Sequence, residues 1–347
     1  MTESSKQIKI NPDQESIIVV SNEVSGMRLD VYLMSVMPKG VTRSAVQRAI
    51  KDGKISVEEK MITKSGNSIS AGQTIRIAAD AFKTPPAPEV QANNEIPLVI
   101  IHEDPNLLVI DKQAGIPVHA GVKNEHPTIA DALIARYPDL AKIGEDPLRP
   151  GIVHRLDKDT SGVMLVARTP EMFRYLKEQF QLRHVEKTYT ALVRGVMGEK
   201  DGKIAMPIMR STRNPMRRTV ADEGQGRSAV TFFHRAERFS HYTLLEVMPK
   251  TGRTHQIRVH LSHIGFPIIG DNLYGKQVRD GHLPAAKRQF LHASSISVTM
   301  PSGNIKTFRS PLPSDLQIIL DELRARKAAE HLRDKPISHN AYRVSKH

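Results

Sequence analysis

The sequence predicts an α+β protein: a large domain with a mixed, largely antiparallel β-sheet flanked by helices, and a small domain ahead of it. Three observations carry that expectation. Short β-rich runs recur at residues 98–101, 107–110, 163–167, 189–193, 229–233, 243–247 and 295–299, without the regular strand–helix alternation of a parallel α/β sheet. Helical patterns lie between only some of them, at 128–137, 171–181 and 254–263. Pro85, Pro86 and Pro88 stop both helix and sheet, marking a linker over residues 81–95.

Taken in order, the chain opens with a polar stretch through Gln14 that lacks the apolar segment of a secretory signal. The small domain is expected over residues 14–80. Leu29, Leu33, Val36 and Met37 recur at helical spacing. A second helix should start at Thr42, a suitable N-cap, and stop at Gly53. Ala45, Val46, Ala49 and Ile50 form its apolar stripe, while Arg43, Gln47 and Lys51 repeat every four residues on another face, with Arg48 and Lys54 close by. Short strands follow at 55–57 and 74–77. The large domain is expected over 96–330. Its last helix uses Leu316, Ile319, Leu320 and Leu323 after Pro313 and Ser314. Residues 331–347 read as a flexible polar tail, and the basic stretch 210–227 as a loop or hairpin.

The charge balance bears on partners. Fifty Lys and Arg against 37 Asp and Glu leave a net charge of +13. Such an excess favours a polyanion, nucleic acid foremost, although a basic solubilising surface gives the same count. A basic helical face is likewise most often only a solvated face. The chain has no cysteine, which excludes disulfides, thiolate zinc sites and cysteine nucleophiles and fits a reducing cytoplasm. No apolar run approaches the roughly 20 residues that span a bilayer.

The segment with most chemistry in it is GIVHRLDKDTSGVMLVAR, residues 151–168, a polar loop running into an apolar strand. Asp157 lies among His154, Arg155 and Lys158, company that favours an ionised carboxylate able to act as nucleophile or base. Asp159, ahead of Thr160-Ser161-Gly162, reads instead as a turn former bonding nearby backbone amides. His255, His260 and His263 raise a metal alternative. Positions five apart on a helix point about 140° away from each other, and no HExxH pattern is present, so no metal is expected. Ser161 lies in no GxSxG elbow.

These residues are similar to the signature of the RluA family of pseudouridine synthases. His154-Arg155-Leu156-Asp157 stands intact and continues through Lys158-Asp159-Thr160-Ser161-Gly162. Glu186-Lys187-Thr188-Tyr189 resembles the family's tyrosine-bearing strand, and the run from Lys250 to Leu261, KTGRTHQIRVHL, its third motif, which continues to Gly270-Asp271 and Tyr274-Gly275. LLVIDKQAGIPVH, residues 107–119, looks like the first motif, with Gln113 where proline is commoner. In the small domain, RLDVYL, TRSAVQRAIKDGKI and GQTIRI resemble the S4 RNA-binding domain, with a departure at Val57-Glu58-Glu59-Lys60, where a small polar turn is usual.

The resemblance implies roles residue by residue. Asp157 would be the catalytic carboxylate, and Tyr189 would stack on the target base. Arg258 would pair with Asp157, Arg155 would fill the hole left by the extruded base, and Leu291 would wall the pocket. Arg43, Arg48 and Lys51 would contact RNA phosphates. The reaction breaks the bond from ribose to ring nitrogen and remakes it to carbon 5, so nothing enters on balance and no cofactor is implied. Whether Asp157 attacks the sugar, attacks the base or removes a sugar proton stays open. The partner implied is RNA, ribosomal RNA of the large subunit ahead of transfer RNA, with no DNA and no membrane, and a monomer is the default. The rival from another class is a non-catalytic RNA-binding assembly factor, which would need neither Asp157, Tyr189 nor Arg258.

Overall fold

The computed structural model describes residues 10, 14–38, 41–82, 90–120, 126–222, 224–275 and 286–333. The chain divides into two compact units, Met1–Pro88 and Glu89–His347.

The first unit contains β1 (Ser16–Val19), α1 (Leu29–Val36), α2 (Arg43–Lys51), β2 (Ile55–Val57), β3 (Lys60–Met61) and β4 (Thr74–Ile77). The strands form an antiparallel sheet in the order β1-β4-β2-β3. Thr42 caps α2 by accepting from the Ala45 N–H at 3.2 Å. The helix ends at Gly53, φ 71°, where Gly53 N–H donates to the Ile50 carbonyl and Lys54 N–H to that of Ala49. That pair of bonds is the Schellman arrangement, which needs a left-handed residue and therefore favours glycine. Val46, Ala49 and Ile50 are buried against Leu29, Leu33 and the sheet residues Ile55, Ile75 and Ile77.

Two sequence features of this unit acquire a structural meaning. Part of the expected basic face of α2 turns toward α1: Arg43 at 3.4 Å and Gln47 at 3.3 Å both donate to the fully buried Asp30, as does Arg28 through two bonds of 3.0 Å. The Arg28 bond, ahead of the opposing effect of burial, holds the Asp30 carboxyl down at about 2. Arg43 is thus tied to an internal carboxylate, although its side chain is 62% exposed. The acidic departure Glu58-Glu59 forms the two-residue turn of the β2–β3 hairpin, with φ of 52° and 61°. Both residues being left-handed is the geometry that such turns favour, at a cost of order 1–3 kcal/mol for a residue other than glycine. Glu58 also accepts from the Thr74 N–H, tying the turn to β4.

The expected linker shortens at both ends. Ala81 is buried in the small core with Phe82 against it, and Val90 packs on the core of the second unit, where Gln91 N–H donates to Asp131 at 2.8 Å. Residues 83–89 lie outside the described residues, as does the tail from 334.

The second unit runs β5 (Val99–Glu103), β6 (Leu107–Lys112), α3 (Ile129–Arg136), β7 (Ser161–Ala167), α4 (Pro170–Gln181), β8 (Glu186–Arg194), β9 (Asp201–Ala205), β10 (Ile208–Arg210), β11 (Arg218–Val220), β12 (Val230–Arg238), β13 (Tyr242–Pro249), α5 (Gln256–His263), β14 (Leu291–Thr299), β15 (Ile305–Arg309) and α6 (Ser314–Arg333). The main sheet has the order β5-β6-β7-β14-β8-β13-β12-β9, with β15 on β14. Its only parallel pairing among the described strands is β7 with β14.

That pairing joins two half-sheets with separate cores. One is built on β6, β7, α3 and α4; the other on β8, β13, α5 and α6. At the seam Ser161 lies opposite His292 and Gly162 opposite Ala293. Gly162 has φ 119°, and a Cβ there would stand 2.2 Å from the Ala293 carbonyl oxygen, so only glycine lets the strands meet. The loop containing Asp157 leads straight into this seam.

Candidate active site

A cavity of about 660 Å³ opens where the loop before β7, the pocket end of β8 and the segment leading into α5 converge. Arg149, Arg155, Lys177, Arg183, Lys187, Lys250, Arg253 and Arg258 contribute to its lining, and Asp157 is the only carboxylate among the lining residues. Such a cavity concentrates an anion such as an RNA backbone near one opposing charge.

Three groups fix the loop that carries Asp157. The buried Lys112 ammonium donates to the carbonyls of Gln113, Lys158 and Thr160 at 2.7, 2.9 and 3.0 Å. Burial pushes this amine down to about 7, while the Asp159 and Asp157 carboxylates act the other way. Three acceptors leave no place for a lone pair, so the site suits the ammonium form. From the other side Arg288 donates to the Asp159 carbonyl at 3.0 Å and is held by Asp315 of α6. Gln289 bonds the Thr160 hydroxyl at 3.2 Å. The turn itself is closed by Thr160 N–H donating to the Asp157 carbonyl, so backbone bonds replace the Asp159 side-chain turn expected from sequence.

The expected site residues converge here. Arg258, buried in α5, donates through Nη1 to Asp157 Oδ2 at 3.0 Å. Its Nε and Nη2 grip Asp271 at 2.7 and 2.9 Å, which also accepts from the Leu273 and Tyr274 N–H groups. Burial works against charge on Asp271, but Arg258 and the two amides outweigh it and hold the carboxyl below its ordinary value. One guanidinium therefore bridges two carboxylates, with the fully buried Asp271 aiming it at Asp157, which lines the cavity. Tyr189 on β8 lines the cavity, and burial, followed by the Asp157 charge, raises its phenol far above the ordinary range. Leu291 of β14 is buried and contributes an apolar wall. Arg155 is exposed at the mouth, with Nη1 3.5 Å from His119 Nε2.

His154, expected to act electrostatically on Asp157, has a different place. Its Nε2 accepts from the Leu165 N–H at 2.9 Å and its ring stacks on Phe180 at 4.7 Å. Burial pushes it down to about 3, so it is a neutral imidazole that secures β7. The three histidines weighed as ligands do not converge. His260 is held between the Thr231 hydroxyl and the Met206 carbonyl, whereas His255 bonds Tyr274. Sequence reasoning did not single out Asp271, Lys112, Arg288 or Gln289. Lys112 and Asp271 did stand inside the quoted motifs, but spacing alone gave no sign of which acceptors they face.

The segment 250–256 is shaped by Gln256, which accepts from the Thr251 hydroxyl at 2.6 Å and the Arg253 N–H at 3.0 Å and donates to Val230 and Thr231. Beside it, β10 and β11 form an antiparallel hairpin whose connection and second strand fall in the basic stretch 210–227, while β10 begins just before it. Arg218 N–H of that hairpin donates to the Tyr274 hydroxyl at 2.7 Å.

A single carboxylate clamped in a cationic cavity at the seam of a mixed sheet suits an enzyme with a polyanionic substrate. Residues 106–263 match the family model described as RNA pseudouridylate synthase, and residues 27–75 match that of the S4 domain. An "Uncharacterized RNA pseudouridine synthase" of Chloroflexus aurantiacus is 42% identical over 92% of this chain and 97% of its own length. The "Ribosomal large subunit pseudouridine synthase D" of Nitrosomonas europaea is 39% identical over 88% of this chain and 87% of its own. The solved structure "Human RNA Pseudouridylate Synthase Domain Containing 4" superposes with a TM-score of 0.53 at 30% identity, covering 65% of this chain and 93% of that one. The chain belongs to the RNA pseudouridine synthase family and carries an S4 domain ahead of the synthase region.

Proposed function

We propose that this isomerase converts uridines of large-subunit ribosomal RNA to pseudouridine, with Asp157 as its catalytic carboxylate. The observation that carries this reading is the setting of Asp157: the sole carboxylate of a cavity lined by cations, oriented by an arginine that a second carboxylate holds. In the net reaction the bond from ribose C1′ to N1 breaks, a bond from C1′ to C5 forms, and the proton leaving C5 is balanced by one gained at N1. The atoms balance without a donor, so no cofactor or metal is required. The target base leaves its stack at a cost of a few kcal/mol. Tyr189 offers a stacking surface, Leu291 an apolar wall, and Arg155 a long side chain at the mouth to take the vacated space.

The ribosomal assignment rests on what relatives such as that of Nitrosomonas europaea are named for, together with the S4 domain and the net charge. Arg48 and Lys51, with Arg43 partly committed to Asp30, would contact phosphates. A monomer acting on RNA and not DNA, in the cytoplasm, completes the proposal. No described helix is long and apolar enough to cross a membrane.

The test is Asp157→Asn on a verified RNA substrate, read as tritium released from carbon 5 of labelled uridine. Turnover should disappear while affinity stays within a few-fold, and Asp159→Asn should cost far less. Near-normal turnover in Asp157→Asn would remove the assignment.

A further inference from the structure

His255 stands immediately before α5 in a left-handed conformation, φ 58° and ψ 19°. Few residues other than glycine adopt it; Asn, Asp and His are enriched among them. The geometry fixes where its two ring nitrogens go. Nδ1 is 2.8 Å from the Tyr274 hydroxyl, and that hydroxyl already accepts the Arg218 N–H at 2.7 Å. A phenol has one proton to give, and giving it to Nδ1 completes both contacts. The proton of the neutral imidazole then sits on Nε2. Burial, ahead of the opposing pull of Asp157, lowers the pKa of this imidazole, consistent with the neutral form.

Nε2 stands 4.0 Å from Asp157 Oδ2, beyond hydrogen-bond reach, and that same oxygen takes Arg258 Nη1 at 3.0 Å. His255 and Asp157 both line the cavity, so the Nε2–H faces it beside the carboxylate, on a side chain that is still 19% exposed. Resting on Asp157 as the catalytic carboxylate, we propose that His255 is a catalytic residue whose Nε2–H donates to an uncharged oxygen of the target uridine, a ring carbonyl or ribose oxygen held next to Asp157. A neutral donor suits this place. It orients the nucleotide without adding a further cation to compete with Arg258 for Asp157. The same chain of bonds reaches back to the β10–β11 hairpin, which presets the ring before RNA arrives.

Two substitutions separate this role from a purely structural one. Asn overlays the Nδ1 end of the ring, can accept from Tyr274, and tolerates the left-handed backbone, but has nothing at the Nε2 position. Gln places an amide N–H near Nε2 but forfeits the Tyr274 bond. Single-turnover rates at saturating RNA, RNA affinities and melting temperatures would be measured for His255→Asn, His255→Gln and Asp157→Asn. In His255→Asn the rate should fall about a hundred- to a thousand-fold, the scale of losing one oriented donor, with affinity and melting temperature close to those of the parent. His255→Gln should recover several-fold over Asn. A His255→Asn rate within twofold of the parent, or a Gln variant no faster than Asn, overturns the inference while an inactive Asp157→Asn leaves the catalytic reading standing. An active Asp157→Asn overturns that reading instead.

Discussion

Arg258→Lys keeps the positive charge and discards the planar fork, which makes it the sharpest probe of the site. Arg258 makes three charge-assisted bonds, two to Asp271 and one to Asp157. A lysine ammonium is a single point donor on a flexible stem and cannot reproduce the two-carboxylate bridge. Asp271 is buried and would retain the Leu273 and Tyr274 amides, but would lose one or both guanidinium bonds. Bonds to charged groups contribute roughly 1.5–3 kcal/mol each. Two lost bonds, offset by the retained charge, amount to about 2–4 kcal/mol. For a domain of this size that lowers the melting temperature by roughly 5–15 °C. Asp157, no longer aimed, should move by an ångström or so, and such a misplacement costs about 10²-fold in rate. Affinity for RNA should stay within about twofold, because many other cations line the cavity. The assay is single-turnover tritium release at saturating RNA, with filter binding and thermal melting alongside. A variant with parental melting temperature and a rate within threefold would show that the bridge does not position Asp157.

Two further outcomes follow from the structure. His154 has a native-state pKa of about 3, below its ordinary 6.5, so the unfolded chain binds a proton that the folded one refuses. Its contribution is absent above about pH 6.5, and it lowers stability as pH falls from there toward 3, by up to about 1.4 kcal/mol per pH unit. His154→Gln should flatten the acid limb of urea-derived stability between pH 7 and 5; an unchanged limb counts against a neutral buried imidazole. Removing residues 1–88 should leave a folded synthase unit, since the chain divides there, with weaker RNA binding and a shallower salt dependence. Each lost phosphate contact takes roughly 0.7–0.9 from the slope of log affinity on log salt. Arg48→Ala with Lys51→Ala should reproduce part of that change, and identical slopes for all three proteins would refute RNA contact by α2.

The sequence by itself settled what depends on local order. Apolar runs marked β6, β7, β13 and parts of β8 and β14, while β2 and β4 were legible as short strands in which buried residues alternate with less buried ones. Thr42 and Gly53 bounded α2 because capping is chemistry between residues a few positions apart. The motif around Asp157, with Tyr189 and Arg258 in theirs, pointed to side chains that meet at one cavity. Much less legible were β1, β3, β9, β11 and β15, which are short or largely polar and take their strand form from a neighbour's hydrogen bonds more than from their own residues.

What tertiary structure alone decided is partnership. Arg43 and Gln47 read as part of a solvent-facing basic face, yet they close on Asp30, and His154 read as a neighbour of Asp157, yet its nitrogen serves Leu165. Lys112 meets carbonyls 46 and 48 residues away, and Arg288 meets one 129 residues away. Arg258 reaches Asp157 across 101 residues, and the seam that places the loop brings Ser161 to His292 across 131. Pairings at such separations are selected by burial and by the need of each buried polar group for a partner, conditions that exist only once the two half-sheets have met.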